Sequence, residues 1–155
     1  MKKTWDKTFI EIAELFAEHS TCRKRQVGAV LTKNKRIISC GYNGTPSGMP
    51  HCNSFFESED ECKIPAGDGF SLHHKFSAKY ELHAEQNCIA FAAKTGIPID
   101  DDCTLYVTTA PCTDCAKLIV AAGIKKVVYK DSYKNSDGVE FLREANVEVV
   151  KEDRL

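Results

Sequence analysis

Residues 104–130 have the sequence TLYVTTAPCTDCAKLIVAAGIKKVVYK, which predicts a strand, a helix and a second strand in succession. The β-branched run 104–110 predicts a buried strand, and the run KKVVYK at 125–130 predicts another. Between them, residues 112–123 predict a helix that ends at Gly123. This succession is typical of α/β proteins whose strands run parallel to one another.

Further helices and strands are predicted on both sides of this unit. The strands 27–33 and 36–42 are separated only by Asn34 and Lys35, so we expect an antiparallel hairpin there. The other predicted elements are helices at 4–19, 82–96 and 136–146 and a strand at 147–151. On the central helix, the stripe expected to face the core consists of Ile89, Ala90, Ala93 and Ile97.

Two segments do not fit a regular pattern. Residues 41–53, GYNGTPSGMPHCN, are too rich in glycine, proline and asparagine for a helix or a strand. Residues 54–80 are acidic at first and then turn-like, and no single pattern accounts for them. A structureless segment of this length is unusual inside a compact domain. The cysteine and histidine content of this region therefore suggests that something holds it in place.

The composition of the 155-residue chain excludes several classes of protein. The net charge is −1, from 21 basic and 22 acidic residues, so the chain has no strong positive field for nucleic acid. No apolar stretch reaches the roughly 18 residues that a membrane span needs. The first residues also lack the apolar region of a secretory signal. We therefore expect a cytoplasmic protein that binds neither nucleic acid nor membranes.

The eight cysteines are many for such a chain. A secreted disulfide framework would use that number, but such chains are usually short and rich in loops. We therefore expect metal ligands, nucleophiles or buried apolar side chains. Cys40, Cys88 and Cys103 lie within predicted strands or helices and are expected to be buried thiols.

Two short motifs at predicted helix starts bring metal-binding residue types together. The first is His83-Ala84-Glu85, and the second is Pro111-Cys112-Thr113-Asp114-Cys115. Two thiolates and one imidazole leave a tetrahedral zinc ion with one open position, as in catalytic sites. Zinc lowers the pKa of a bound water to about 7, and Glu85 is placed to accept its proton.

Two other interpretations fit these motifs less well. Cys112 and Cys115 have the spacing of a thioredoxin-like redox pair, but such a pair needs neither His83 nor Glu85. A closed structural zinc knuckle would need a fourth ligand, which no adjacent residue supplies.

The pattern H-x-E followed by P-C-x-x-C is typical of zinc-dependent nucleobase deaminases. From about Thr21 to Val150 the chain resembles the cytidine and deoxycytidylate deaminase superfamily. The resemblance implies a three-layer α-β-α fold, with helices on both faces of a five-stranded mixed sheet, as a single domain over residues 1–155. It also implies that His83, Cys112 and Cys115 bind the catalytic zinc and that Glu85 shuttles protons.

Four further motifs narrow the resemblance to the deoxycytidylate (dCMP) deaminases, especially their bacteriophage branch. They are Val27-Gly28-Ala29-Val30, the loop Gly41-Tyr42-Asn43-Gly44-Thr45-Pro46-Ser47-Gly48, His83-Ala84-Glu85-Gln86-Asn87 and Tyr106-Val107-Thr108-Thr109-Ala110-Pro111. The implied reaction converts dCMP to dUMP and ammonia and supplies dUMP for dTMP synthesis, in the host cytoplasm if a phage encodes the chain. The alternatives are a tRNA or single-stranded nucleic acid deaminase, a deaminase of 5-modified dCMP, and a regulatory nucleotide-binding protein with a vestigial site.

The resemblance also implies residues that bind nucleotides. The expected substrate contacts are Val27, Asn43, Ala84, Ala110, Pro111 and Tyr133. The basic run 23–25 or Lys134 is expected to bind the 5′-phosphate. A regulatory site for dCTP with Mg²⁺ as activator, or dTTP as inhibitor, is expected at Asn43, Gly44, Thr45, Ser47 and Gly48. Many relatives are homohexamers, and Phe91 and Lys94 match their subunit contact.

A second zinc ion is implied by the same resemblance. Its expected ligands are Cys22, Cys52, His73 and Glu81, and four protein ligands would make this site structural. His51, Cys62 and His74 are alternatives for any one of them. Such a site would also explain how the region 54–80 stays ordered, because metal binding contributes folding free energy.

Overall fold

The computed structural model describes residues 2–152 and contains a five-stranded mixed sheet. The strands are β1 (Gly28–Lys33), β2 (Arg36–Tyr42), β3 (Cys103–Thr109), β4 (Lys126–Asp131) and β5 (Glu148–Lys151). Their order across the sheet is β2-β1-β3-β4-β5. The pairs β1/β2 and β1/β3 are antiparallel, whereas β3/β4 and β4/β5 are parallel. The predicted parallel second half of the sheet is confirmed.

Seven helices surround the sheet in the described part of the chain. They are α1 (Trp5–Ala17), α2 (Cys52–Phe55), α3 (Glu59–Cys62), α4 (Leu72–Tyr80), α5 (Ala84–Lys94), α6 (Thr113–Ala122) and α7 (Asp137–Glu144). The four helices predicted from sequence are α1, α5, α6 and α7, and no end differs from its predicted position by more than two residues. None of the helices within residues 2–152 combines the length and the apolar character needed to cross a membrane.

Side chains that alternate along the strands build a core on each face of the sheet. Ala29 and Leu31 point into a core shared with α5, α6 and α7. Val30, Tyr106 and Val128 point to the opposite face, where Phe9, Ile10 and Ala13 of α1 cover them. This alternation places helices on both faces, because successive strand residues point to opposite sides. The expected three-layer α-β-α fold is confirmed.

Glycines let two helices approach the sheet closely. A Cβ atom on Gly28 would lie 1.9 Å from the carbonyl oxygen of Ala13 in α1. On Gly41 it would lie 2.7 Å from the backbone nitrogen of Cys88 in α5. Both contacts are too short for any residue with a side chain.

The close contact between α5 and β2 corrects the predicted stripe of α5. The residues that α5 buries are Ala84, Glu85, Cys88 and Ala92. Ala90 and Ala93 are exposed, and Ile89 and Ile97 are only partly buried. The prediction placed Ala90 and Ala93 on the buried face, whereas close packing over Gly41 selects the small side chains of Ala84, Cys88 and Ala92.

The predicted hairpin turn is confirmed at Asn34 and Lys35. Their φ angles are 50° and 62°, the left-handed conformation that a two-residue turn between antiparallel strands requires. Lysine is unusual in this conformation. The ammonium of Lys35 lies 5.8 Å from the ring centre of Trp5 in α1, within the range of a cation–π contact.

The region from α2 to α4 forms a separate small layer beside the sheet. Its own apolar cluster consists of Cys22, Cys52, Phe56, Cys62 and Phe76. Phe56 and Phe76 meet edge to face, with ring centres 5.5 Å apart. Helices of four residues cannot be stable alone, so this layer depends on contacts made from outside it.

Candidate active site

A first donor cluster is formed by His83, Cys112 and Cys115 at the starts of two helices. His83 is the residue before α5, and Cys112 is the residue before α6. The Nδ1 atom of His83 lies 3.2 Å from Sγ of Cys115 and 3.5 Å from Sγ of Cys112. The structure therefore brings together the three residues that the sequence predicted as ligands.

Without a metal ion, the pKa values of the three side chains in the first cluster shift in different directions. Hydrogen bonds from Cys115 and His83 lower the pKa of the Cys112 thiol to about 4. The same contact with Cys112 raises the pKa of His83. The hydrogen bond to Cys112, burial and the nearby Glu85 raise the pKa of Cys115. The cluster thus favours a thiolate at Cys112, and a divalent cation would favour a second thiolate at Cys115.

The donor set of the first cluster fits zinc. The three donor atoms lie within 4.8 Å of one another. Ligands at zinc–sulfur and zinc–nitrogen distances of about 2.3 and 2.0 Å in a tetrahedron are roughly 3.5–3.8 Å apart, close to the observed spacings. Two sulfurs and one imidazole nitrogen leave a fourth position free for a water or a substrate.

Glu85 lies in the first turn of α5 beside this cluster. Its side chain is buried at 4% exposure, and this burial raises the pKa of its carboxyl. Glu85 also contacts Cys115 and adds to the rise in the pKa of that thiol caused first by Cys112 and by burial. A carboxyl with a raised pKa exchanges protons more readily near neutral pH than an ordinary glutamate does.

Gln86 fixes the backbone of His83. Its Oε1 atom accepts a hydrogen bond from the His83 backbone N–H at 2.7 Å. The sequence motif includes Gln86, but its role in holding His83 was not predicted. The available signal was its spacing, because Gln86 comes three residues after His83, the residue that precedes α5. That is the glutamine position of a capping box.

A second donor cluster is formed by Cys22, Cys52, His73 and Glu81, whose donor atoms lie within 4.8 Å of one another. The Nε2 atom of His73 is 3.3 Å from Sγ of Cys22 and 3.3 Å from Oε1 of Glu81. The backbone N–H of Arg23 donates to Sγ of Cys52 at 3.3 Å. The structure therefore assembles all four predicted residues from segments far apart in the sequence.

Burial shifts the pKa values of several side chains in the second cluster. Burial raises the pKa of Cys22 to about 12 and also raises that of Cys52. Burial lowers the pKa of His73, which favours the neutral imidazole that binds metals. Among residues 2–152, Oε2 of Glu81 is the one buried side-chain oxygen or nitrogen atom without a hydrogen-bond partner. A cation bound between these four side chains would satisfy that oxygen and both thiolates.

The alternative ligands lie outside this group of four. Cys62 is fully buried and its thiol hydrogen bonds with Cys52. His51 contacts Thr45 and Thr21 through Nδ1, at 3.3 and 3.5 Å. His74 stacks on Phe70, with ring centres 4.2 Å apart.

The three cysteines predicted as core thiols are largely shielded from solvent. Cys88 and Cys103 are buried, and Cys40 is half-buried beside the α1 core.

A cavity of about 750 Å³ is lined by residues of both clusters. Its volume lies within the range of sites for small organic ligands. Five of the six predicted substrate contacts line it, namely Val27, Asn43, Ala84, Ala110 and Tyr133. Pro111 is fully buried and does not line the cavity.

Asn43 lines this cavity while its amide holds the chain before β1. Its Oδ1 accepts from the backbone N–H of Val27 at 2.8 Å, and its Nδ2 donates to the carbonyl oxygen of Arg25 at 2.8 Å. The second N–H of Nδ2 stays available to a ligand, because an amide nitrogen carries two hydrogens.

One end of the cavity is basic. Lys24, Arg25 and Lys134 line it together with Tyr133. The guanidinium of Arg25 lies 5.3 Å from the ring centre of Tyr133, and the ammonium of Lys134 lies 5.6 Å from it. Two cations on one aromatic ring leave their charge available to an anion.

The loop predicted to bind regulatory nucleotides lies outside the cavity beyond Asn43. Gly44 forms an isolated bridge with Leu82, and Thr45 contacts His51. Ser47 and Gly48 belong to an exposed turn that Met49 closes by donating to the carbonyl oxygen of Pro46. Phe91 and Lys94, predicted at a subunit contact, are exposed on α5.

Sequence reasoning missed part of the cavity wall. Ser71 and Ser77 line it from α4 and the residue before it, and Asp114 lines it from the first turn of α6. Nothing in the periodicity of residues 54–80 placed α4 beside the metal-binding motifs. Asp114 could have been found, because it lies between the two cysteines of the motif.

Comparisons with known proteins agree with this geometry. The family model of the cytidine and deoxycytidylate deaminase zinc-binding region matches residues 3–131. Deoxycytidylate deaminases of Enterobacteria phages T2 and T4 are each 40% identical to this chain, over 96% and 92% of it and over 92% and 86% of their own lengths. A crystal structure of dCMP deaminase from cyanophage S-TIM5, in complex with dCMP and dUMP, matches with a TM-score of 0.78 at 37% identity, covering 98% of this chain and 99% of that one. The chain therefore belongs to the zinc-dependent cytidine and deoxycytidylate deaminase family.

Proposed function

We propose that this protein catalyses the hydrolytic deamination of dCMP to dUMP and ammonia. The observation that carries the proposal is the buried Glu85 beside the His83, Cys112 and Cys115 donors, in a cavity whose other end is basic. The names of the phage and yeast relatives support the substrate, since each is a deoxycytidylate deaminase.

The chemistry divides between a metal and the side chains of the chain. His83, Cys112 and Cys115 would hold zinc, which supplies an activated water when bound. Glu85 takes one proton from the attacking water and delivers it to N3 of the cytosine ring. It then takes the second proton from the new C4 hydroxyl and delivers it to the departing amine. A C4–O bond forms and the C4–N bond breaks, so water and dCMP become dUMP and ammonia. The desolvated carboxyl suits this role because burial raises its pKa, so it holds a proton at a higher pH than an ordinary glutamate does.

Recognition of the nucleotide is assigned to the two ends of the cavity. Val27, Ala84 and Ala110 are proposed to contact the base and sugar, with Asn43 donating its free N–H. Lys24, Arg25 and Lys134 are proposed to bind the 5′-phosphate, because three cations that line one cavity suit a dianion. Pro111 is proposed to act from behind the wall by fixing Ala110 and Cys112.

The second cluster is proposed to bind a structural zinc ion. This cluster has four protein ligands, with Glu81 as the fourth, whereas the first cluster has three. Four protein ligands leave no open position on the ion. The partnerless Oε2 of Glu81 and the three segments that meet there support this assignment.

Regulation and assembly are also proposed. We propose activation by dCTP with Mg²⁺ and inhibition by dTTP at the loop residues Asn43, Gly44, Thr45, Ser47 and Gly48, in a homohexamer that contacts through Phe91 and Lys94. Residues 1–155 are proposed to form one deaminase domain, which is supported by α7 and β5 completing the sheet beyond the matched residues 3–131. The proposed role is supply of dUMP for dTMP synthesis in the cytoplasm.

The test is a deamination assay on the purified chain. Loss of the cytosine absorbance and release of ammonia from dCMP are expected, with little turnover of cytidine, which lacks the phosphate. Efficient turnover of cytidine without turnover of dCMP would refute the nucleotide assignment. Parallel assays with 5-methyl and 5-hydroxymethyl dCMP and with tRNA identify the alternative substrates.

A further inference from the structure

Three consecutive residues, Glu81, Leu82 and His83, connect the two donor clusters. Glu81 belongs to the second cluster and His83 belongs to the first. Leu82 lies between them and pairs with Gly44 through two backbone hydrogen bonds, of 2.8 and 3.0 Å. The loop after β2, the second cluster and the first cluster therefore meet within one short segment.

The segment is extended, which determines how its side chains are arranged. The φ and ψ angles are −89° and 137° at Glu81 and −74° and 159° at His83. In an extended chain, residues two apart point to the same side, with their Cα atoms about 6.6 Å apart. Glu81 and His83 accordingly line the same cavity. A displacement of Glu81 is transmitted to His83 because an extended segment has no slack to absorb it.

Two of the three residues are held by other parts of the chain in the protein alone. Gln86 binds the backbone of His83, and Gly44 binds that of Leu82. Glu81 contacts His73 through Oε1 at 3.3 Å, but its Oε2 is buried without a hydrogen-bond partner in the described residues. A buried carboxylate oxygen in that state is costly, so a cation that satisfies it would hold Glu81 more firmly than His73 does alone.

We propose that Glu81 is a positioning residue for His83. Metal at the second cluster anchors Glu81, and the 81–83 segment then directs the His83 imidazole toward Cys112 and Cys115. The proposal rests on the assignment of both clusters as metal sites in the proposed function, and it extends the second site beyond a structural role.

The decisive variant is His73→Gln, which removes a second-cluster ligand from α4 without touching the 81–83 segment. The number of zinc ions per chain and the affinity of the first site are measured by competition with a chromogenic chelator. A Cys112→Ser variant identifies which wild-type affinity belongs to the second site. Hydrogen exchange at the amides of Leu82 and Gly44 is followed in the same proteins.

The proposal expects His73→Gln to bind one zinc ion, held roughly 10–100-fold more weakly than the first-site zinc of the wild type. Exchange at Leu82 and Gly44 should accelerate relative to amides in the sheet core. His73→Cys, which restores a ligand, should recover the second zinc and the first-site affinity together. Glu81→Gln provides the same comparison if His73→Gln does not fold.

The matched control is Phe76→Leu, which perturbs the same apolar cluster from the same helix as His73 and leaves the four donors in place. It should keep two zinc ions and the wild-type first-site affinity. The positioning role is overturned if His73→Gln loses the second zinc while first-site affinity and Leu82 exchange stay as in the wild type. None of these readouts uses dCMP, so failure of the proposed reaction would be seen separately in the deamination assay.

Discussion

The Nδ2 atom of Asn43 donates a hydrogen bond to the carbonyl oxygen of Arg25 at 2.8 Å. The same amide accepts from the backbone N–H of Val27, so one side chain fixes the chain on both sides of residue 26. Arg25 in turn lies over the ring of Tyr133. Asn43, in the loop after β2, thus fixes the backbone of Arg25, a cation of the cavity wall that belongs to a different segment of the chain.

Asn43→Asp is expected to weaken nucleotide binding more than turnover. The new carboxylate oxygen would face the carbonyl oxygen of Arg25 and leave it without a donor, at a cost of about 1–3 kcal/mol. Arg25 would shift, so KM for dCMP should rise about tenfold or more while kcat changes less. Asn87→Asp is the control, because Asn87 makes a similar bond to the carbonyl oxygen of Tyr42 but does not line the cavity. An equal rise of KM in both variants would contradict the expectation.

Glu85→Gln should retain zinc and lose turnover. The amide fills the same space but cannot carry the proton, so kcat should fall roughly 10²–10⁴-fold or more. Metal content is measured beside the rate of dCMP loss. Glu14→Gln, on the opposite face of the sheet where Glu14 pairs with Lys130, should leave the rate unchanged. Turnover by Glu85→Gln near the wild-type rate would remove the proton-transfer role.

The pH dependence of stability should show that Glu85 destabilises the metal-free fold. Its pKa is raised above the ordinary 4.5 by burial, so the folded state binds the proton more tightly than the unfolded state does. The contribution is therefore favourable below about pH 4.5 and is lost as pH rises toward the raised folded value. Metal-free Glu85→Gln should gain stability over metal-free wild type as pH increases. Urea unfolding at several pH values measures this, and a constant difference would contradict it.

Gly138→Ala is expected to weaken the first metal site. A Cβ atom on Gly138 would lie 2.1 Å from the carbonyl oxygen of Pro111 and 2.8 Å from the carbonyl carbon of Cys112. Relief of this overlap must move α7 or the residues that present Cys112. Zinc affinity and folding stability should both decrease. Gly28→Ala, which produces an overlap with α1 on the other face, should decrease stability with much less effect on first-site zinc affinity.

Removal of zinc should open the layer of α2, α3 and α4 to proteolysis. Lys63 and Lys75 are exposed in this layer, and its short helices have little stability of their own. Trypsin should cleave there faster after chelation and slowly again after zinc is restored. A Cys112→Ser variant, which leaves the second cluster intact, should keep the slow cleavage. Equal cleavage rates with and without zinc would argue against a structural role for the second cluster.

The elements around residues 104–130 were predictable because their patterns are local. The period of the apolar residues, Gly123 after α6 and the turn at Asn34 and Lys35 each depend on neighbours in sequence. The first cluster was predictable for the same reason, since its motifs lie at helix starts whose geometry is regular.

The remaining structure depends on contacts between distant residues. Helix α4 has no strong apolar face, and it is held by His73 meeting Cys22 across 51 residues. The buried face of α5 is set by Gly41 on a different element, which selects small side chains at Cys88 and Ala92. The second cluster was reached through resemblance rather than pattern, because its ligands come from loops and helix ends without a shared period.

The direction of β1 has a consequence for how such enzymes diversify. Because β1 is antiparallel to β3, the residues before β1 lie at the same edge of the sheet as the residues after β3 and β4. Arg25, Ala110 and Tyr133 meet at this edge and line the cavity. The metal donors and Glu85 belong instead to the starts of α5 and α6. On the assignments proposed above, the phosphate-binding and metal-binding residues therefore belong to separate parts of the chain, so evolution could exchange one nucleotide for another by altering loops while the deaminating machinery is inherited unchanged.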